Sequence, residues 1–190
     1  MYLFFDTETG GLQPNHSLLS VSAIAVDPQL QIVPVLNMYP GLHLRVKHEN
    51  YVVTEQAMQI NKIDLAVHDQ IGLTVSETIE KLQMFFDEAR VIMGVQRLIP
   101  AGHNVAFDMR FLQAQLFPEK QWDTFFKNPP LCTCAIARFF NAANRLTVGC
   151  GLEKLCTHFG IDAGDAHNAE NDNLAAIELA RRFVGLLPPP

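Results

Sequence analysis

The order of apolar runs predicts an α/β domain with a central mixed sheet, antiparallel over its first three strands and parallel afterwards, flanked by helices. Three observations carry this expectation. Strand-length apolar runs fill much of the first 47 residues. Helical periodicity dominates from residue 74 onward. A short apolar run at 98–102 interrupts those helices, as a parallel strand between crossovers does. With 190 residues, 48% of them hydrophobic and 18% charged, the chain can bury a sizeable core in one domain. That domain is expected over residues 1–185, with 186–190 as a short Leu/Pro tail.

Residues 1–6 form an apolar run that ends in acids and reads as a buried strand. Leu18–Val26 is a second run of strand length, closed by Asp27-Pro28. Residues 32–38 and 42–47 read as further strand. In the latter Leu42, Leu44 and Val46 alternate with His43, Arg45 and Lys47, the period of a half-buried strand. Thr54–Gln59 reads as a short helix with Thr54 as N-cap. Thr74–Ala89 is a longer one, because Val75, Ile79, Leu82, Phe86 and Ala89 recur at helical spacing. Leu98–Gly102 is a short strand, and Asn104 is placed to cap a helix running to Leu116, which Pro118 stops. Helices follow at about 133–142, 150–159 and 168–184, with Gly160 just past the end of the second.

Composition narrows the function classes. No apolar run reaches the roughly 18–20 residues that span a bilayer, so no membrane association is expected. The start, Met1-Tyr2-Leu3-Phe4-Phe5-Asp6, lacks a basic region and meets an acid at once, unlike a signal peptide, and a cytoplasmic location is the default expectation. Cys132, Cys134, Cys150 and Cys156 match neither a zinc-finger spacing nor a disulfide framework and read as small apolar side chains. The formal charge of −6 argues against coating nucleic acid through a broad basic face. It permits a metal-dependent enzyme. Taking four metal-bound carboxylates out of the count moves −6 to −2.

Three groups of acids stand apart in the sequence. Asp6 and Glu8 are two residues apart at a strand end and project to one face, where only a cation between them relieves their repulsion. Hard oxygen ligands suit Mg²⁺ or Mn²⁺. Asp108 falls one turn into the helix after the 98–102 strand, and His167 and Asp172 open the final helix. Each group has an ordinary explanation by itself: a solvated turn, an acid complementing a helix dipole, or a surface His and Asp. Their combination and order are another matter. Asp6-Thr7-Glu8-Thr9-Gly10-Gly11-Leu12, then Gly102-His103-Asn104-Val105-Ala106-Phe107-Asp108, then His167-Asn168-Ala169 with Asp172 and Ala175 resemble the three motifs of the DEDDh exonucleases. This family, also called DnaQ-like, includes proofreading subunits of DNA polymerases. The likeness runs over almost the whole chain.

The resemblance implies a ribonuclease H-like fold and a metal-dependent 3′–5′ exonuclease of the proofreading or repair type. It implies Asp6, Glu8, Asp108 and Asp172 as ligands of two Mg²⁺ or Mn²⁺ ions and as catalytic residues, with His167 as the general base. Asp6 would bridge the ions, Glu8 and Asp172 would complete one site, and Asp108 would act partly through water. Thr7, Thr9, Gly10, Leu12, Ile60, Asn61, His103, Asn104 and Phe107 would surround the terminal nucleotide, though His103 reads equally as a structural histidine. Implied partners are single-stranded or frayed 3′ ends of DNA, with RNA as the alternative, and a DNA polymerase by analogy. Two stretches depart from the family pattern. Asn61-Lys62 stands where relatives carry His-Gly, and Cys132-Thr133 where many carry Asp-Thr. Two further readings are an RNA 3′-end trimming enzyme of the same fold and a non-catalytic subunit associated with nucleic acid or polymerase. The intact set of five residues argues against the last.

Overall fold

The computed structural model describes residues 1–164 and 168–187. A five-stranded sheet forms from β1 (Tyr2–Thr9), β2 (Leu18–Val26), β3 (Leu42–Arg45), β4 (Ile99–Gly102) and β5 (Leu131–Cys132), in the order β3-β2-β1-β4-β5. The pairs β1–β2 and β2–β3 are antiparallel, while β1–β4 and β4–β5 are parallel. The expected mixed sheet with its antiparallel opening is therefore present. Helices are α1 (Glu55–Asn61), α2 (Leu65–Ile71), α3 (Val75–Met93), α4 (Ala106–Gln115), α5 (Glu119–Phe125), α6 (Thr133–Ala142), α7 (Leu152–Phe159) and α8 (Ala169–Gly185). Among the described residues no helix is long and apolar enough to cross a membrane.

The central strand decides where everything else goes. β1 alternates between two apolar layers, as successive strand residues point to opposite faces. Leu3 and Phe5 enter a core with Phe85 and Phe86 of α3 and Trp122 and Phe125 of α5. Phe126 joins them, its ring centroid 5.5 Å from Phe5 and 4.2 Å from Trp122. Phe4 points the other way, against Ala176, Ile177 and Ala180 of α8. The alanines let that helix lie close to the sheet. A third cluster joins Ala137 and Phe140 of α6 to Leu155 of α7 and to Leu179 and Phe183 of α8.

Two local expectations hold at the level of single caps, and at the head of α3 Thr74 and Glu77 add a capping box that the sequence reading did not name. Thr54 accepts a hydrogen bond from the Ala57 amide. Gly160 ends α7 in the left-handed region at φ +64°. Others fail. Residues 32–38 are not a strand. Leu36 and Asn37 take positive φ, and Val35 and Met38 pair only with each other across the resulting turn. The segment pairs with the sheet only at its start, where Ile32 bridges Val26 and the Val33 amide donates to the Ala25 carbonyl. Two seven-residue helices, α2 and α5, and the two-residue β5 escaped the sequence reading because about two turns, or two strand residues, hold too few apolar repeats to establish a period.

Candidate active site

The alternation of β1 continues past its apolar part. Asp6 and Glu8 share the face of Phe4, which looks toward α8. Asp172, in the first turn of α8, meets them there: one carboxylate oxygen from each of Asp6, Glu8 and Asp172 lies within 4.8 Å of the others. Three acids so close, without a cation, resist ionisation. Burial raises the Asp6 pKa well above the ordinary carboxylate range, and Asp108, Asp172 and Glu8 push it further. Burial, then Asp172 and Asp108, raise Glu8 to about 7. A compact, oxygen-only donor set that repels itself fits a hard divalent cation.

Thr7 faces the other way, toward α4. Its hydroxyl donates to Asp108 Oδ1 at 2.7 Å, and both side chains are buried. Burial pushes Asp108 up to about 7, against the lowering effect of the Thr7 hydrogen bond. Asp108 is thus near enough to act on Asp6 and Glu8 but stands outside the three-carboxylate group. The head of α4 differs from the sequence expectation. Asn104 is not its cap. It sits in the left-handed region at φ +61°, and its carbonyl accepts from the Phe107 amide at 2.8 Å. Val105 occupies the cap position and offers no side-chain bond. Asn tolerates the left-handed region better than most residues, so the turn uses Asn104 for its backbone.

The third motif is anchored by a residue that the sequence reading passed over. Asn173, fully buried, donates from its amide to the Phe4 carbonyl at 2.9 Å and the Ser22 hydroxyl at 3.0 Å. These bonds fix α8 in rotation and height against β1 and β2, and so fix Asp172 beside Asp6. The one signal for Asn173 was its position directly after Asp172. Asn168 caps α8, accepting from the Glu170 and Asn171 amides. His167, expected as the base, lies outside the described residues.

A cavity of about 210 Å³ opens beside the carboxylates. Thr7, Glu8, Thr9 and Asn61 form its polar wall, and Leu12, Ile60 and Phe107 its apolar one. Leu12 and Ile60 are substantially exposed, which frees their surfaces for a flat apolar partner. Asn61 is held in place, donating to the Thr9 carbonyl and accepting from the Ile63 amide. Two expected substrate residues have structural partners. The Gly10 amide donates to the Ser17 carbonyl, and a Cβ there would lie 2.5 Å from the Val52 carbonyl oxygen. Glycine is needed for that close approach. His103 bonds through Nδ1 to the Thr133 hydroxyl at 2.9 Å, and burial lowers its pKa, as for a structural histidine.

A family model described as Exonuclease matches residues 3–180. Over 97% of the chain, a protein named ribonuclease T from Haemophilus ducreyi is 28% identical, and the match covers 85% of that protein. A ribonuclease T from Actinobacillus pleuropneumoniae serotype 5b is 27% identical over the same share of the chain and 84% of its own length. Among solved structures, an exonuclease I superposes with a TM-score of 0.77 at 20% identity over 96% of the chain. E. coli exonuclease I in complex with a dT13 oligonucleotide gives 0.75 at 19% over 95% of the chain. The chain spans about 40% of the length of those exonuclease I chains. At that identity the likeness establishes the ribonuclease H-like fold.

Proposed function

The chain belongs to the exonuclease family, and on that premise we propose that it removes nucleotides one at a time from the 3′ end of single-stranded DNA. The observation that carries this reading is the trio Asp6, Glu8 and Asp172 at the mouth of a cavity with one apolar and one polar wall. The terminal base lies against Leu12, Ile60 and Phe107. Its sugar lies against Thr7, Thr9, Glu8 and Asn61. This places the phosphodiester on the 5′ side of that sugar at the carboxylates.

Asp6, Glu8 and Asp172 would hold divalent metal directly, and Asp108, set back behind Thr7, would act through water. Two Mg²⁺ or Mn²⁺ ions bound there supply neutralisation of phosphate charge and a more acidic water. His167 takes the proton of the attacking water. A free histidine has a pKa of about 6.5, which suits this residue type to act as a base near neutral pH. Asn173 holds α8 so that Asp172 reaches Asp6. The products are a nucleoside 5′-monophosphate and a strand shorter by one residue. A proofreading or repair role, a polymerase partner and a cytoplasmic location belong to this proposal through the resemblance of the three motifs.

The relatives named ribonuclease T favour a second reading, removal of nucleotides from RNA 3′ ends. The choice depends on how the site receives a 2′-hydroxyl. Matched 5′-labelled single-stranded DNA and RNA, incubated with Mg²⁺, decide it. A ladder shortening from the 3′ end, faster on DNA, supports the first reading. A faster RNA ladder supports the second, and no shortening of either rejects both.

A further inference from the structure

A second cavity, of about 290 Å³, shares Glu8 and Asn61 with the nucleotide cavity, and its far wall carries His43, Arg45 and His68. The sheet register accounts for it. Glu8 pairs with Ser20 and Ser20 with Arg45, while Asp6 pairs with Ser22 and Ser22 with His43. Residues opposite each other on adjacent strands share a face. Two rows therefore run from the catalytic acids, through small buried hydroxyls, to a cationic or imidazole side chain on β3.

Most polar groups around this cavity are already engaged. Asp64 caps α2 through the Ala66 and Val67 amides, a ring nitrogen of His68 meets the Val46 carbonyl, and Asn61 is held as described above. Of its basic and imidazole side chains, Arg45 and His43 are not. Arg45 is exposed and makes no ion pair among the described residues. His43 Nε2 is buried and finds no hydrogen-bond partner there. Unused donors beside a nucleic-acid site call for a ligand with several acceptor oxygens and negative charge.

We propose that this cavity receives a phosphate group carried on the 3′ carbon of the terminal nucleotide, so that the enzyme starts on 3′-phosphorylated ends as well as on 3′-hydroxyl ends. The inference rests on the exonuclease reading. With the base against Leu12 and the scissile phosphate at the carboxylates, the sugar lies beside Glu8 and Asn61. The substituent pointing away from both base and C5′ is the one on C3′. Beyond Glu8 and Asn61 lies the Arg45 cavity. The first hydrolysis then adds a water oxygen to the scissile phosphorus and breaks that phosphorus's bond to the 3′ oxygen of the penultimate nucleotide, which takes up a proton. A nucleoside 3′,5′-bisphosphate leaves, and the strand now ends in an ordinary 3′-hydroxyl. Arg45 is needed in this first cycle only.

The test uses the full chain with Mg²⁺ and 5′-labelled single strands, DNA or RNA, whichever it degrades, ending in 3′-hydroxyl or 3′-phosphate. Products are identified by mass spectrometry. Wild type is expected to shorten both strands and to release one nucleoside 3′,5′-bisphosphate per 3′-phosphorylated strand. Arg45→Ala is expected to slow that first cleavage by about tenfold or more, the effect of losing a charge-assisted hydrogen bond, while the 3′-hydroxyl strand keeps its rate. The unchanged rate also shows that the variant folds. A wild type that shortens the 3′-hydroxyl strand but stalls on the 3′-phosphate, or releases inorganic phosphate first, overturns the inference and leaves the exonuclease reading standing. Equal slowing of both strands by Arg45→Ala also overturns it. If neither strand is shortened, the exonuclease reading fails and the inference falls with it.

Discussion

Glu8 shows how one residue can weaken the fold in order to serve the site. Its carboxyl titrates near 4.5 when unfolded and at about 7 when folded, because burial and then Asp172 and Asp108 oppose its charge. A raised carboxyl pKa gives stability that is full below the unfolded value and is lost as pH rises through the folded one. Metal-free protein is therefore expected to lose stability between about pH 4.5 and pH 7.5 through this group. Glu8→Gln removes the titration. Without metal the variant should melt above wild type at pH 8, with the gap closing toward pH 5 in thermal scans. Adding Mg²⁺ at pH 8 should raise the wild-type midpoint more than that of the variant. A wild type that is the more stable protein at pH 8 without metal would contradict the electrostatic account. His167 belongs at the same scale. His167→Ala should keep metal binding by calorimetry but lose turnover on the order of 10²–10⁴-fold, the usual contribution of a general base. Full activity of that variant at pH 7 would remove His167 from the proposal.

At the scale of elements, the site depends on how β1 and α8 meet. Sequence periodicity made both visible, and the two-residue spacing of Asp6 and Glu8 correctly put them on one face. It could not show Asn173. An Asn within a helix reads as a surface residue until its helix is placed on the sheet, where this one serves the Phe4 carbonyl and the Ser22 hydroxyl. Asn173→Ala should cost about 1–3 kcal/mol in urea unfolding, because both partners are left buried and unpaired. It should also lower kcat more than it raises KM, since the displaced residue is Asp172 and not the wall of the nucleotide cavity. A change in stability without any change in kcat would make Asn173 purely structural. The head of α4 gives the opposite lesson. Asn104 looked like a cap because caps favour Asn, but positive φ favours it too, and residue preference by itself does not separate the two uses.

For the molecule as a whole, the mixed sheet with its antiparallel opening could be anticipated because strands crowd the start of the chain and helices the rest. The parallel edge could not be followed to its end. β5 has two residues, and its pairing comes from the β4 backbone rather than from any apolar pattern of its own. The site was legible where residues act through their charge, at Asp6, Glu8 and Asp172. It was less so where they act through position, as with Gly10, which turned out to make room for the Val52 carbonyl. The Arg45 row became visible only when the register of β1, β2 and β3 was known. The central claim is that the cluster on β1 and α8 hydrolyses phosphodiester bonds with divalent metal, from the 3′ end inward. A 5′-labelled single-stranded oligonucleotide, followed in time with Mg²⁺, with EDTA, and with Asp6→Asn protein in Mg²⁺, tests it most directly. The account predicts a ladder shortening from the 3′ end with release of nucleoside 5′-monophosphates in the first reaction, and intact strand in the other two. Equal shortening in EDTA, or by the Asp6→Asn protein, would contradict it.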